Sequence, residues 1–222
     1  MTSQFSVAAL LMGYASLAFS GTACPPTNLN KDWSAACFAK TGDGRRVKPN
    51  YINNLRLNQY GRTTIMIADP RELVAVDRDG KVVIPGIRHT GDHDYPNAHL
   101  GIGRFYSSSK ISGGKQASCG YFETRRLRVI VPARFDHCQP FKEKHAFACT
   151  DCVSYCSEPD CQDSVLVGGV GTMLRSDGRT RKTFTLPTLD TVCARPDLLR
   201  IIKLSSGAAM LQCLTGPGDP FK

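Results

Sequence analysis

The stretch Leu73 to Pro85, LVAVDRDGKVVIP, carries the strongest fold signal in the chain. Two apolar runs flank Asp79-Gly80, and an Asp-Gly pair supplies the two residues at positive φ that a tight two-residue β-hairpin needs. The stretch therefore predicts a β-hairpin with Asp79-Gly80 at its tip. Because a single hairpin is marginally stable in water, we expect it to pack against others.

The same outline of apolar residues, a tip, a basic or β-branched run and a proline recurs along the chain. The other copies have their tips at Asp43-Gly44, Thr124–Leu127 and Asp177-Gly178, followed by Pro49, Pro132 and Pro187. The third tip lacks Asp-Gly, so its turn must be of another type or wider. The distance from Gly178 to Pro187 predicts a longer or bulged second strand in the fourth copy.

These copies predict an all-β fold of about four tandem β-hairpin repeats, which form a curved or open barrel-like sheet. Short helices are expected around Trp33, with Asn28 or Asn30 as the cap, and near Pro196. The segment Cys149–Asp163 interrupts the repeat pattern.

Residues Val7–Phe19 form an uncharged apolar run that is shorter than the roughly 20 residues of a membrane-spanning helix. The run is typical of a signal peptide, here residues 1–23 with cleavage after Ser20 or Ala23, although no Lys or Arg precedes it. The mature chain is then a single domain, residues 24–222. Small residues before Cys24 leave a lipid anchor on that cysteine as an alternative.

Ten cysteines follow the apolar run, an even number that predicts disulfides in an exported chain. They are Cys24, Cys37, Cys119, Cys138, Cys149, Cys152, Cys156, Cys161, Cys193 and Cys213. Four of them, from Cys149 to Cys161, lie close enough to bind zinc or an iron–sulfur cluster, but an oxidising compartment favours local disulfides. The others are expected to pair as Cys24–Cys37, Cys119–Cys138 and Cys193–Cys213. We expect a periplasmic or secreted bacterial protein.

The residues from Cys119 to Cys149 also carry a family resemblance. The chain there reads Gly120-Tyr121-Phe122, then Val129-Ile130-Val131-Pro132, then Arg134-Phe135-Asp136, then Pro140-Phe141-Lys142-Glu143 and Ala146. This order resembles the bacterial WG-repeat (KWG-repeat) family. Asp79–Pro85 matches the middle of that pattern, whereas Cys119 stands where the family has tryptophan. The resemblance implies arrays of β-hairpins in exported bacterial proteins, and it implies no catalytic residues.

The net charge of +9 arises wholly after residue 23. Every predicted tip is basic, with Arg45, Arg46, Arg78, Lys81, Arg125, Arg126, Arg128, Arg175, Arg179 and Arg181 at or beside the tips. Hairpins stacked in register would align these side chains into a basic stripe that binds an anionic protein face or envelope polymer. The alternative is that they serve only solubility.

A second cluster, the loop with His89, Asp92 and His93, has residue types that ligate metals or transfer protons. It predicts, as the alternative function, a metal-binding protein or metal-dependent enzyme, unless the loop is simply a polar turn. No Ser or Cys lies in a GxSxG context, and no aromatic platform indicates nucleic-acid binding. The sequence thus favours an exported, disulfide-stapled, non-enzymatic binding or scaffold protein of the bacterial envelope, without a cofactor.

Overall fold

The computed structural model describes Cys24 and residues 32–91, 93–107 and 118–214. The signal peptide predicted at 1–23, and the caps predicted at Asn28 and Asn30, lie outside these residues. Within them the protein is all-β, as predicted. The strands are β1 (Phe38–Thr41), β2 (Gly44–Val47), β3 (Arg62–Ile67), β4 (Glu72–Asp77), β5 (Val82–Ile84), β6 (Ile102–Ser107), β7 (Ser118–Glu123), β8 (Arg128–Phe135), β9 (His137–Cys138), β10 (His145–Thr150), β11 (Val153–Cys156), β12 (Ser164–Val167), β13 (Val170–Arg175), β14 (Thr180–Thr185), β15 (Leu199–Lys203) and β16 (Ala209–Cys213).

Helical structure in the described part consists of short 3-10 turns. They span Ala35–Cys37, Pro49–Asn54, His99–Gly101 and Pro196–Leu198. The last starts at Pro196, which confirms that predicted position. The helix expected around Trp33 is displaced, because Trp33 forms a β-bridge with Ile67 and the first turn begins at Ala35. The first turn is capped by Ser34, whose hydroxyl accepts a hydrogen bond from the N–H of Ala36 at 3.2 Å.

The strands form five small sheets. Their strand orders are β1-β2, β3-β4-β5, β6-β7-β8, β14-β13-β10-β9 and β12-β11-β16-β15. All pairs are antiparallel except β11 with β16, which run parallel through Cys156 and Met210. Among the described residues no sheet closes on itself, so the curved or barrel-like sheet expected from the sequence is not confirmed.

Each three-stranded sheet buries apolar side chains on both of its faces. In β4, Leu73 and Ala75 pack towards the sheet β6-β7-β8, with Phe105 and Phe122 in the same cluster. Val74 and Val76 point the other way, towards the cluster that contains Val47 and Trp33. Because neighbouring residues in a strand face opposite sides, a strand covered on both faces is apolar without alternation. This double burial explains the continuous LVAV run.

The tip of the β4-β5 hairpin differs from the predicted two-residue turn. Gly80 has φ of 75°, but Asp79 is not at positive φ. The N–H of Gly80 donates to the carbonyl of Asp77, and the N–H of Asp77 donates to the carbonyl of Lys81, both at 3.0 Å. The side chain of Asp77 also accepts from the N–H groups of Asp79 and Lys81. The turn is therefore a wider one in which only the glycine is left-handed, because the Asp77 carboxylate supports the other backbone groups.

The same backbone hydrogen-bond pattern recurs at three more turns of the described chain: Asn58–Arg62, Arg175–Arg179 and Leu204–Ala208. The third predicted tip is wider, as expected, because four residues, Thr124–Leu127, separate the paired Glu123 and Arg128. In the fourth copy the register of β13 and β14 shifts after Met173, which confirms a bulged second strand.

Candidate binding surface at the hairpin tips

The first two predicted tips lie side by side. Lys81 Nζ is 2.6 Å from Asp43 Oδ2, and Arg46 Nη2 is 4.0 Å from the same atom. The hydrogen bond from Lys81, with a further one from Thr41, lowers the pKa of Asp43 to about 2. The third cation, Arg45, is 2.7 Å from Glu72. At this end of the predicted stripe, acidic side chains neutralise most of the positive charge.

The second and third tips meet at the turn around Tyr60. The guanidinium of Arg126 lies over the Tyr60 ring, 5.7 Å from its centroid. Arg62 Nη1 donates to the carbonyl of Leu127 at 2.6 Å, and the Asn58 side-chain amide donates to the carbonyl of Arg125 at 3.4 Å. These bonds fasten the third tip to the 58–62 turn.

Arg78 of the second tip reaches the same turn. Its guanidinium packs against Gly61 so closely that a Cβ on Gly61 would lie 3.0 Å from Nη2. The side chains of Arg62, Arg78 and Arg126 thus meet at this turn, with the exposed Arg125 next to Arg126 in the chain, and we call these four residues the Tyr60 arginine cluster. Sequence reasoning did not find Arg62, which lies at the start of a strand rather than in an Asp-Gly tip.

Glu123 is the acidic side chain that ion-pairs within the third hairpin. Its carboxylate lies 3.7 Å from Arg126 Nε and 3.6 Å from Arg128 Nη2. Both arginine side chains remain more than half exposed, at 53% and 58%. One carboxylate shared by two exposed guanidinium groups leaves positive charge in excess on this surface.

At the fourth tip, Asp177 lies 3.8 Å from Arg175 and 4.0 Å from Arg179. The strand bulge places Arg181 elsewhere, with its Nη1 2.6 Å from Nε2 of His145. The tip packs against the preceding unit, since a Cβ on Gly178 would lie 2.8 Å from the carbonyl of Ile130 in β8. Neighbouring tips are therefore in contact with adjacent units, whereas one continuous basic stripe through all four remains a prediction.

The loop with His89 and His93 is organised by a carboxylate that the metal-site prediction did not include. Asp94 is 1% exposed and lies between two guanidinium groups. Its Oδ1 accepts from Arg104 Nε at 3.0 Å and Arg104 Nη2 at 2.6 Å, and its Oδ2 accepts from Arg88 Nε at 3.1 Å. Arg104 also donates to the carbonyl of Cys138 at 3.0 Å, which ties the loop to β9. We call Arg88, Asp94 and Arg104 the buried ion triad.

His89 and His93 are not joined into a metal-binding group in the described part of the chain. His89 Nδ1 lies 3.1 Å from the carbonyl of Ile87. The third predicted ligand, Asp92, is outside the described residues. Where side chains are described, no three His, Cys, Asp or Glu residues are grouped so that they could hold a metal ion.

The two positive charges of the triad extend their influence to a neighbouring imidazole. His137 is largely buried in β9, and this burial, together with the charges of Arg104 and Arg88, lowers its pKa below the ordinary 6.5. Burial raises the pKa of Tyr121, whose hydroxyl donates to the carbonyls of Gln139 and Phe147. The Tyr121 hydroxyl is therefore satisfied within the protein, and its contacts join the sheet β6-β7-β8 to the sheet β14-β13-β10-β9.

All ten cysteines are paired. The disulfides are Cys24–Cys37, Cys119–Cys138, Cys149–Cys152, Cys156–Cys161 and Cys193–Cys213. The three long-range pairs confirm the predicted ones, and the other two confirm that the cluster from Cys149 to Cys161 forms local disulfides rather than a metal site. The bond to Cys37 occupies the sulfur of Cys24 that a lipid thioether would need. Five disulfides fit an oxidising extracellular or periplasmic compartment.

Of the helices in the described residues, none has the length and apolar character needed to cross a membrane. Comparison of the chain with family models, with curated proteins and with solved structures finds no match. The resemblance to WG repeats therefore stays a prediction from the residues quoted above.

Proposed function

We propose that this chain is an exported, disulfide-stabilised binding or scaffold protein of the bacterial envelope, built from WG-repeat-like hairpin units. Its partner is an anionic protein face or envelope polymer, bound at the basic hairpin tips. In this proposal the protein binds its partner at the basic tips and catalyses no reaction.

The observation that carries the proposal is the convergence of the Tyr60 arginine cluster. Two tips that are far apart in sequence contribute Arg78 and Arg126 to the surface around Tyr60, and Arg62 bonds to the backbone of the third tip. Guanidinium groups suit this role because they are planar, weakly hydrated and able to make two parallel hydrogen bonds to a carboxylate or phosphate. Tyr60 is 36% exposed and adds an aromatic face beside Arg126.

The positions of the acidic side chains indicate which part of the basic surface has positive charge in excess. At the first and second tips Asp43 and Glu72 pair with Lys81 and Arg45, so those cations have partners within the protein. Around Tyr60 the ion-paired acid is Glu123, and the exposed arginines there outnumber it. An anionic partner would therefore gain most at the Tyr60 arginine cluster and least at the first tip.

The contacts of the cysteines and of the His/Asp loop favour binding over the metal-dependent alternative. Every cysteine is in a disulfide, which removes thiolates as nucleophiles or ligands. Asp94, the buried acid of the loop, already accepts hydrogen bonds from two arginines. The cysteines and Asp94 are thus engaged in contacts that stabilise the fold.

The test compares two double charge reversals in the mature protein. Arg125→Glu with Arg126→Glu changes the Tyr60 arginine cluster, and Arg200→Glu with Lys203→Glu changes the net charge equally at exposed sites on β15, away from the tips. Binding of fluorescently labelled poly-glutamate and of lipopolysaccharide is measured by anisotropy at low salt, where surface charge is least screened. We expect the first variant to bind at least about tenfold more weakly than the second, which corresponds to roughly 1.4 kcal/mol.

Equal weakening by both variants would refute the proposed surface and leave only net charge. Failure of the unmodified protein to bind either polyanion at low salt would refute the anionic partner itself. Far-UV circular dichroism of both variants checks that the sheets are intact, since all four substituted side chains are exposed.

A further inference from the structure

A small cavity opens on the face of the sheet β14-β13-β10-β9, near the turn that precedes β10. Its volume is about 170 Å³. The lining residues are Gln139, Pro140, Lys142, His145, Ala146, Phe147 and Met173. No acidic side chain is among them, and the sequence-based predictions did not include this cavity.

The floor of the cavity is apolar because of the strand register. Phe147 of β10 is paired directly with Met173 of β13, so their side chains lie together on the same face of the sheet. Farther along this face, Phe147 and Phe184 pack with Cys149 and Leu166 in the cluster shared with the last sheet. Met173 is not part of that cluster and is half-buried, so the apolar floor of the cavity is open at this end.

The rim of the cavity is polar and basic. The hairpin turn before β10 is closed by reciprocal backbone hydrogen bonds between Lys142 and His145, which fixes both residues at the mouth. Arg181 is not itself a lining residue, but its Nη1 donates to Nε2 of the lining His145 at 2.6 Å, so its guanidinium lies beside the rim. An arginine N–H can donate only to an imidazole nitrogen without a proton, so Nε2 is the accepting atom and the guanidinium is held in place.

We propose that this cavity binds a small organic carboxylate with a flat apolar body, such as an aromatic carboxylic acid. The Lys142 ammonium and the free N–H groups of Arg181 would bind the carboxylate through charge-assisted hydrogen bonds. The ring would lie against Phe147 and the Met173 thioether, both of which favour aromatic contacts. The volume matches about five or six waters at about 30 Å³ each, enough for a single ring with its acid group.

This inference does not rest on the proposed function. A small molecule in the cavity would use Lys142 and Arg181, whereas the polyanion would use the Tyr60 arginine cluster. The loss of one activity in the variants of the other site is not expected, so the two proposals fail separately.

The probe is benzoate, titrated into the mature protein by isothermal calorimetry and followed by ligand-observed NMR. Two comparison ligands separate the contributions: benzamide has the ring without the charge, and acetate has the charge without the ring. We expect benzoate to bind with a dissociation constant in the range of about 0.1–1 mM, and both comparison ligands to bind at least about tenfold more weakly.

The variants are Lys142→Gln and Arg181→Gln, with Arg179→Gln as the matched control. Arg179 is an exposed arginine two residues before Arg181, but its guanidinium lies 4.0 Å from Asp177 at the hairpin tip, whereas that of Arg181 contacts the lining His145. We expect each rim variant to weaken benzoate binding by about tenfold and the control to change it by less than about twofold. No benzoate binding at about 10 mM, equal binding of benzamide, or equal loss in Arg179→Gln would each overturn the proposal.

Discussion

Replacement of Asp94 by asparagine tests the buried ion triad, and we expect it to destabilise the fold strongly. The carboxylate is fully buried and accepts three hydrogen bonds, two from Arg104 and one from Arg88. Asparagine keeps the shape but removes the charge, and its NH₂ group would face one of the guanidinium donors. Arg104, whose side chain is 10% exposed, would then remain as a buried charge without its counterion.

The expected magnitude follows from that uncompensated charge. Removing one partner of a buried ion pair costs about 3–5 kcal/mol, because the desolvation of the other partner is no longer offset. Arg88 is different, since its side chain is 41% exposed. Replacement of Arg88 by methionine leaves the Arg104–Asp94 pair intact, so we expect the free energy of unfolding to fall by only about 1 kcal/mol.

The assay is equilibrium urea unfolding of the oxidised protein, followed by far-UV circular dichroism. The double variant Asp94→Asn with Arg104→Met is the decisive companion, because it removes both buried charges. We expect it to be more stable than Asp94→Asn alone. The reasoning is refuted if Asp94→Asn costs less than about 1 kcal/mol, or if the double variant is the less stable of the two.

Two further predictions concern a turn and a histidine. Gly178 and Gly207 occupy equivalent turns at φ of 82° and 86°, but of these two only Gly178 would bring an added Cβ against a neighbouring backbone. We therefore expect Gly207→Ala to lower the free energy of unfolding by about 1–2 kcal/mol and Gly178→Ala to lower it further. Equal losses in urea unfolding would contradict the packing of this tip on the preceding unit. The pKa of His137 is lowered in the folded state, so the unfolded chain binds one more proton as the pH falls through 6.5. The free energy of unfolding should therefore fall below pH 6.5 by at most about 1.4 kcal/mol per pH unit. His137→Asn should remove this component from a profile of stability against pH.

The sequence predicted the all-β class and three of the five disulfide pairs, because these signals are local. Cys119 and Cys138 lie on either side of one apolar hairpin, whereas four cysteines from Cys149 to Cys161 allow three pairings, and no spacing in the sequence chooses among them. The detailed turn at Asp79-Gly80 was wrong because the deciding group, the Asp77 carboxylate, lies outside the dipeptide that defines the sequence signal.

The candidate sites were only partly predictable, because their members meet across units. Arg62 reaches the third tip through its bond to the carbonyl of Leu127, which is distant in the chain, and no spacing in the sequence marks this contact. The same holds for Arg104, whose partner Asp94 was visible as part of a polar loop but not as the centre of an ion triad. Hydrophobic periodicity fixes which face of a strand is buried, but register fixes which charged side chains meet.

Apolar runs also fail to distinguish a central strand from an edge strand. The run LVAV in β4 is buried because a strand lies on each side of it and a cluster covers each face. The pair Ile201-Ile202 in β15 has a similar composition, and its residues are paired with the buried Leu211 and Met210, yet they are 49% and 39% exposed. β15 is the outer strand of its sheet, so side chains there lack a neighbour on one side whatever their polarity. The outer strand β6 is nevertheless buried, because Phe105 belongs to a cluster that covers its face, whereas no described cluster contains Ile201 or Ile202. Burial is therefore decided by the cover over a strand's face, which composition does not specify.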